Sequence, residues 1–188
     1  MWVCQGWEWI AVPSRIKSES LNRLFANLIE RSFADLQVRD PDLKHYVTDL
    51  LVRFARSDAL YHVADPGATK VDTVVEMLIE AEELKWNKHS SFQTLRHTGD
   101  YALFMTGIFR NYVERGGYLE WYMTEGPRSY RRAMGAAPKE ADREVLERLW
   151  RDFEQVSGAL DQMWKVYFGR VAVQEGLGGL VRRFETWN

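Results

Sequence analysis

The sequence predicts an all-α fold, a single-domain bundle of six to seven helices. Its length of 188 residues suits one domain with a sizeable core. Apolar residues recur at intervals of three and four along several segments, which is the period of an amphipathic helix. One further segment, 96–109, is apolar on almost every side from Tyr101 onward, as is typical of a helix buried at the centre of a bundle.

The composition is that of a soluble globular protein, with 46% hydrophobic and 28% charged residues. A net charge of −2 provides no general attraction for nucleic acid, so we do not expect a nucleic-acid partner. The single cysteine, Cys4, cannot form an internal disulfide and fits a reducing compartment. We find no signal-peptide or transmembrane pattern, and the expected location is therefore cytoplasmic.

Three regions follow from the distribution of residues. Residues 1–13 form an expected N-terminal arm that holds Trp2, Trp7 and Trp9. These indoles either dock on the chain's own domain or anchor a partner protein, because aromatic residues dominate interface hot spots. Residues 14–170 form the helical domain, and residues 171–188 form a glycine-rich tail that is flexible or weakly helical.

The first three helices are marked by their apolar stripes and their start signals. The first runs from Ser20 to about Asp35. The second begins at Asp40, which suits an N-cap, followed by Pro41 at the first helical position. A third is predicted to open at residues 73–76, where Thr-x-x-Glu matches a capping box.

The central helix is predicted over about 91–115, after a second capping box at residues 90–93. Gly116 and Gly117 should end it, since glycine readily adopts the left-handed conformation of a C-cap. Small residues on one face of this helix would let a neighbouring helix approach closely; they include Gly99, Ala102 and Thr106. A fifth helix follows from Tyr118, and Pro127 is expected to kink it or divide it in two.

The segment at about 139–169 is predicted to be one long C-terminal helix. Its apolar residues form a heptad seam, which suggests a coiled-coil dimer. Trp150, Trp164 and other apolar residues at the flanking positions make this face too wide for a single partner helix. That width favours packing against two or more helices of the same chain, so the long helix does not indicate a homo-oligomer.

A pattern extends from the central helix into the fifth. It consists of Gly99-Asp100-x-x-Leu-Phe-x-x-Gly107, then Tyr122, then Gly126-x-x-Ser-Tyr130. In this pattern the chain resembles an uncharacterised group of bacterial all-helical proteins, over roughly residues 43–133. The resemblance implies the same helical fold. It implies no activity, because none is established for that group.

The sequence offers one set of catalytic candidates, namely Arg96, His97 and Asp100. An aspartate beside a histidine can orient it as a general base. Arg96 and Asp100 are four residues apart, and this spacing also makes an ordinary intrahelical ion pair worth about 0.2–0.5 kcal/mol. We favour the structural interpretation, and we predict that Asp100 is at least partly buried and hydrogen-bonded, because its apolar neighbours draw that turn inward.

The residues after Gly126-Pro127 are the candidates for an anion-binding site: Arg128, Tyr130, Arg131 and Arg132. Arginine forks near a helix start can hold a phosphate or a carboxylate. The alternative is a solvated face on which the arginines pair with Glu120 or Glu125.

No metal or cofactor is expected from the sequence. The four histidines show no His-x-x-x-His pair, and the Glu-x-x-His motifs of di-iron bundles are absent. The glycine patterns of nucleotide-phosphate loops are absent as well.

These observations favour a non-enzymatic interaction or assembly protein whose partner is another protein. The alternative is a small-molecule or phosphate-binding protein, or an enzyme, that uses a buried Arg/His/Asp cluster. Geometry discriminates between them, because the alternative requires the polar candidates to converge on one concave pocket.

Overall fold

The computed structural model describes residues 18–56 and 88–168, and within these ranges the chain is all-α, as predicted. The tryptophan-rich arm, the helix expected from Thr73 and the tail at 171–188 lie outside the described residues. Among the described helices, none has the length and apolarity needed to cross a membrane. The helices are α1 (Ser18–Asp35), α2 (Pro41–Arg56), α3 (Lys88–Gly107), α4 (Arg110–Arg115), α5 (Leu119–Met134), α6 (Glu140–Arg151) and α7 (Phe153–Gln162), followed by a π-helical turn (Met163–Phe168).

Helix α3 lies at the centre of the described bundle. Every residue from Thr98 to Phe109 is buried, which confirms that this segment forms the core. Its most extensive packing is against α5, and it also packs against α7. Phe104 of α3 stacks on Phe54 of α2, with ring centroids 4.6 Å apart. Helix α3 is therefore enclosed by helices from both ends of the chain.

Small residues permit the close approach of α3 and α5. A Cβ atom on Gly99 would lie 2.7 Å from the ring of Tyr130. A Cβ atom on Gly126 would lie 2.9 Å from the Cβ of Ala102. Larger side chains at Gly99 or Gly126 would force the two helices apart, so the predicted small-residue face is the α3–α5 contact.

Two of the helix caps expected from the sequence are present, those at Asp40 and at Gly117. The capping box expected at residues 90–93 is wrong, because α3 begins at Lys88 and Ser90 lies inside the helix. The Asp40 carboxylate accepts hydrogen bonds from the backbone N–H groups of Asp42 and Leu43, which makes it the N-cap of α2. After α4, Gly117 adopts a φ of 74°. The backbone bond from Tyr118 N–H to Val113 O then closes a Schellman motif.

Two predicted helices are interrupted. The central helix, predicted over 91–115, breaks at Ile108 and Phe109 into α3 and α4. The single C-terminal helix predicted over 139–169 is wrong, because the chain breaks at Asp152 into α6 and α7. Helix α6 packs on α5 and α2, whereas α7 packs on α3 and α1. The break therefore separates two segments that pack mainly on different helices.

The expected division of the fifth helix at Pro127 does not occur. Helix α5 continues through this residue to Met134. Pro127 is only partly buried and lines an open groove. Its ring therefore lies partly at the surface, where the packing is not tight.

Candidate functional site

The polar centre of the molecule is the carboxylate of Asp100, whose side chain is fully buried in α3. Tyr46 of α2 and Tyr130 of α5 donate hydroxyl hydrogen bonds to Oδ1, at 2.7 and 2.9 Å. Arg53 of α2 donates to Oδ2 at 2.8 Å. These four residues, here called the Asp100 cluster, join three helices. The prediction that Asp100 is buried and hydrogen-bonded is confirmed.

The charges of the Asp100 cluster are balanced within the cluster. Burial raises the pKa of Tyr46 and of Tyr130, and the negative charge of Asp100 raises both further. Burial lowers the pKa of Arg53, but the charge of Asp100 and its hydrogen bond outweigh that effect, and the net shift is upward. The two tyrosines therefore keep their hydroxyl protons, and Arg53 keeps its charge, at neutral pH.

The three catalytic candidates do not converge on one reacting position. The guanidinium of Arg96 lies over the ring of Phe92, 5.5 Å from its centroid. The imidazole of His97 stacks on Phe54, with the planes 12° apart. Asp100 takes its cation from Arg53 in another helix, and not from Arg96 one turn away.

Sequence reasoning missed two members of the Asp100 cluster, Tyr46 and Arg53. Tyr46 falls within the apolar stripe of α2, where its hydroxyl gives no separate signal. The one available clue was chemical, since an aspartate inside an apolar helix requires a cation or hydroxyl donors from elsewhere.

The anion-binding candidates are also dispersed. Tyr130 points inward to Asp100. Arg128 pairs with Glu125 at 2.7 Å, as the alternative interpretation expected. Arg131 lies over the indole of Trp150, 5.0 Å from its centroid, and Arg132 is exposed. The four side chains do not surround a common position for a phosphate or carboxylate.

An open groove lies between α5 and the junction of α6 with α7. Its volume is about 450 Å³. We call it the Trp150 groove. Five apolar or aromatic side chains and four charged side chains line this groove. The apolar set is Leu119, Met123, Pro127, Trp150 and Phe153, and the charged set is Arg110, Glu120, Arg151 and Glu154.

The charges of the Trp150 groove are only partly neutralised. Arg151 pairs with Glu147 at 2.5 Å. Arg110 donates one long hydrogen bond, 3.4 Å, to the hydroxyl of Ser157. Glu120 and Glu154 are exposed, and in the described part of the chain neither carboxylate has a cationic partner. Two carboxylates and the guanidinium of Arg110 therefore remain without an oppositely charged partner in the described chain.

A second groove, between α2 and α6, is smaller and acidic. Its volume is about 260 Å³ and its charged lining is Asp42, His45, Asp49, Asp142 and Glu144. His45 and Asp49 lie 3.5 Å apart. Across the described ranges, no three His, Cys, Asp or Glu side chains are grouped so that they could hold a metal ion.

Among the described residues, the buried hydroxyl of Ser129 has no hydrogen-bond partner, whereas the buried hydroxyl of Tyr101 interacts with that of Tyr122. Burial raises the pKa of Tyr101. Ser129 follows Gly126 by one turn of α5 and is fully buried. None of these hydroxyls belongs to the Asp100 cluster, in which every hydroxyl is bonded.

Comparison of the chain with protein-family models, with curated proteins and with solved structures finds no match.

Proposed function

We propose that this chain is a non-enzymatic helical interaction protein that binds a partner protein. The observation that supports this proposal is the closure of the Asp100 cluster. Its carboxylate is fully buried, and donors from two other helices occupy both of its oxygens. A general base must reach the proton that it removes, and a buried, bonded carboxylate does not offer that access.

The alternative is a small-molecule or phosphate-binding protein, or an enzyme, that uses Arg96, His97 and Asp100. It has less support, because those three side chains each have a different partner. Arg128 pairs with Glu125, and Arg131 lies over Trp150, so neither joins them. The Trp150 groove, by contrast, presents tryptophan, methionine and arginine, the residue types enriched in protein interfaces.

Affinity capture by the whole chain, followed by crosslinking and mass spectrometry, tests the proposal. We expect a protein that copurifies at constant stoichiometry and crosslinks to one face. A thermal-shift screen against nucleotides, phosphorylated metabolites and carboxylic acids tests the alternative function. We expect none of these compounds to raise the melting temperature. A small molecule that raises the melting temperature, and fails to do so with Arg96→Gln, would overturn the proposal and support the alternative.

A further inference from the structure

We propose that the Trp150 groove binds a short protein segment in which an apolar side chain is flanked by lysine or arginine. This inference rests on the proposed interaction function and names the surface and the chemistry of the partner.

The floor of the groove is suited to an apolar anchor. The guanidinium groups of Arg131 and Arg151 lie over the indole of Trp150, at 5.0 and 6.0 Å from its centroid. These contacts hold the ring in place before any partner arrives, which reduces the conformational entropy lost on binding. Met123 beside it is flexible enough to adjust to the shape of an incoming side chain.

The charges of the groove specify what flanks the anchor. Arg151 is neutralised by Glu147, so its charge is not available to a partner. Glu120 on α5 and Glu154 on α7 line the same groove without a cation in the described chain. A lysine or arginine on either side of the apolar anchor would complement these two carboxylates.

Arg110 and the length of the groove favour an extended segment. Arg110 donates one hydrogen bond to Ser157, and its other N–H groups can donate to a main-chain carbonyl of the partner. From Leu119 to Pro127 the groove follows α5 for about 12 Å, at 1.5 Å per residue. An extended segment of about four residues covers that distance.

Labelled hexapeptides with one central phenylalanine test the proposal by fluorescence polarisation on the whole chain. The residues flanking the phenylalanine are lysine, glutamine or glutamate. We expect the lysine peptide to bind most tightly and the glutamate peptide least, with the difference shrinking as salt is raised, because exposed charges are screened.

The double variant Glu120→Gln/Glu154→Gln should remove most of the preference for the lysine peptide, weakening its binding about three- to tenfold. Both glutamates are exposed, so the variant should fold normally. Asp142→Asn/Glu144→Gln in the acidic groove is the matched control, with the same change in net charge, and it should leave the preference intact. Trp150→Ala should weaken all three peptides by about tenfold or more, as loss of an aromatic hot spot does.

Four results would overturn the proposal. The first two are equal binding of the three peptides and no binding of any of them. The third is an equal loss of affinity in the control variant, which would indicate the general electrostatic field of the protein. The fourth is a dimer in sedimentation that Trp150→Ala dissociates, which would make a second copy of the chain the occupant. A protein partner that is captured by the original chain and still binds both Glu120→Gln/Glu154→Gln and Trp150→Ala would support the interaction function. That result would also show that the partner does not bind in the Trp150 groove.

Discussion

In the Asp100 cluster a buried carboxylate meets two tyrosines and an arginine whose side chain is half-exposed, and each carboxylate oxygen accepts a hydrogen bond from the same chain. In the Trp150 groove, arginines, glutamates and a tryptophan meet at the surface, and two carboxylates lack a cation within the described ranges. The residue types are similar in the two places. Access to solvent differs, and so does the saturation of the hydrogen-bonding groups.

A polar cluster can bind a partner only where some of its hydrogen-bonding groups or charges have no partner within the chain. Buried polar groups must be satisfied internally, because an unpaired one carries its full desolvation cost. Surface groups are satisfied by water, which a partner can replace. Arginine in the cluster is therefore bound to a buried carboxylate, whereas the arginines around the groove lie where water or a partner can reach them.

The largest expected effect comes from emptying the cluster. Asp100→Ala leaves two tyrosine hydroxyls and the half-exposed Arg53 without their acceptor, and we expect a loss of about 2–4 kcal/mol in the free energy of unfolding. Urea denaturation measures this loss. Asp142→Ala in the acidic groove is the control and should cost less than about 0.5 kcal/mol. A loss below about 1 kcal/mol for Asp100→Ala would contradict a structural role for the cluster.

Matched arginine substitutions compare the two regions directly. Arg53→Gln should lower the free energy of unfolding by about 1.5–3 kcal/mol, because it removes a charge-assisted hydrogen bond and leaves the buried carboxylate without its cation. Arg110→Gln, in the Trp150 groove, should cost less than about 0.5 kcal/mol. Urea denaturation of both variants measures the two losses. Equal losses would contradict the difference proposed between the cluster and the groove.

Alkaline pH should destabilise the cluster more than the groove. The pKa values of Tyr46 and Tyr130 are raised above the ordinary 10.0. Above pH 10 the folded chain therefore holds protons that the unfolded chain releases. The stabilisation is complete below pH 10 and is lost as pH rises towards the folded-state pKa, at about 1.4 kcal/mol per pH unit for each tyrosine.

Urea denaturation between pH 9 and 11 should show this decline. Tyr46→Phe removes one of the two titrating hydroxyls of the cluster and should make the decline shallower. Tyr101 and Tyr122 continue to contribute to the decline, because burial raises the pKa of both. If the variant and the original chain decline in parallel, Tyr46 does not contribute.

The smallest effects distinguish bonded from unbonded hydroxyls in α5. Tyr130→Phe removes a hydroxyl that donates to Asp100 and should cost about 1–2 kcal/mol. Ser129→Ala removes the neighbouring buried hydroxyl, which has no partner, and should be neutral or stabilising by up to about 1 kcal/mol. Thermal unfolding of both variants checks the pair, and a destabilised Ser129→Ala would show that its hydroxyl is in fact bonded.

Local features of the fold could be predicted from the sequence, because their causes lie within a few residues. Asp40 caps α2 through its own first turn, and Gly117 permits the left-handed cap by lacking a Cβ. The break at Asp152 could not be predicted, since neither proline nor glycine marks it and its cause is the placement of α5 and α3. Arg53 was missed for the same reason, because its partner is in another helix.

The site was less predictable than the fold. Asp100 was identified from its apolar neighbours, which require it to be buried. The Trp150 groove has no motif, because it forms only when residues near 120 and near 150 are brought together by the α5–α6 packing. A surface assembled from two distant segments leaves no periodic pattern in either of them.

The Asp100 cluster also bears on how long the folded chain persists. Its three partners lie 30, 47 and 54 residues away from Asp100 along the chain. Their hydrogen bonds form only after α2, α3 and α5 have docked, so we expect them to be made late in folding. Interactions absent from the transition state slow unfolding without accelerating folding. The cluster should therefore set the lifetime of the folded state, and Asp100→Asn should shorten that lifetime while leaving the refolding rate nearly unchanged.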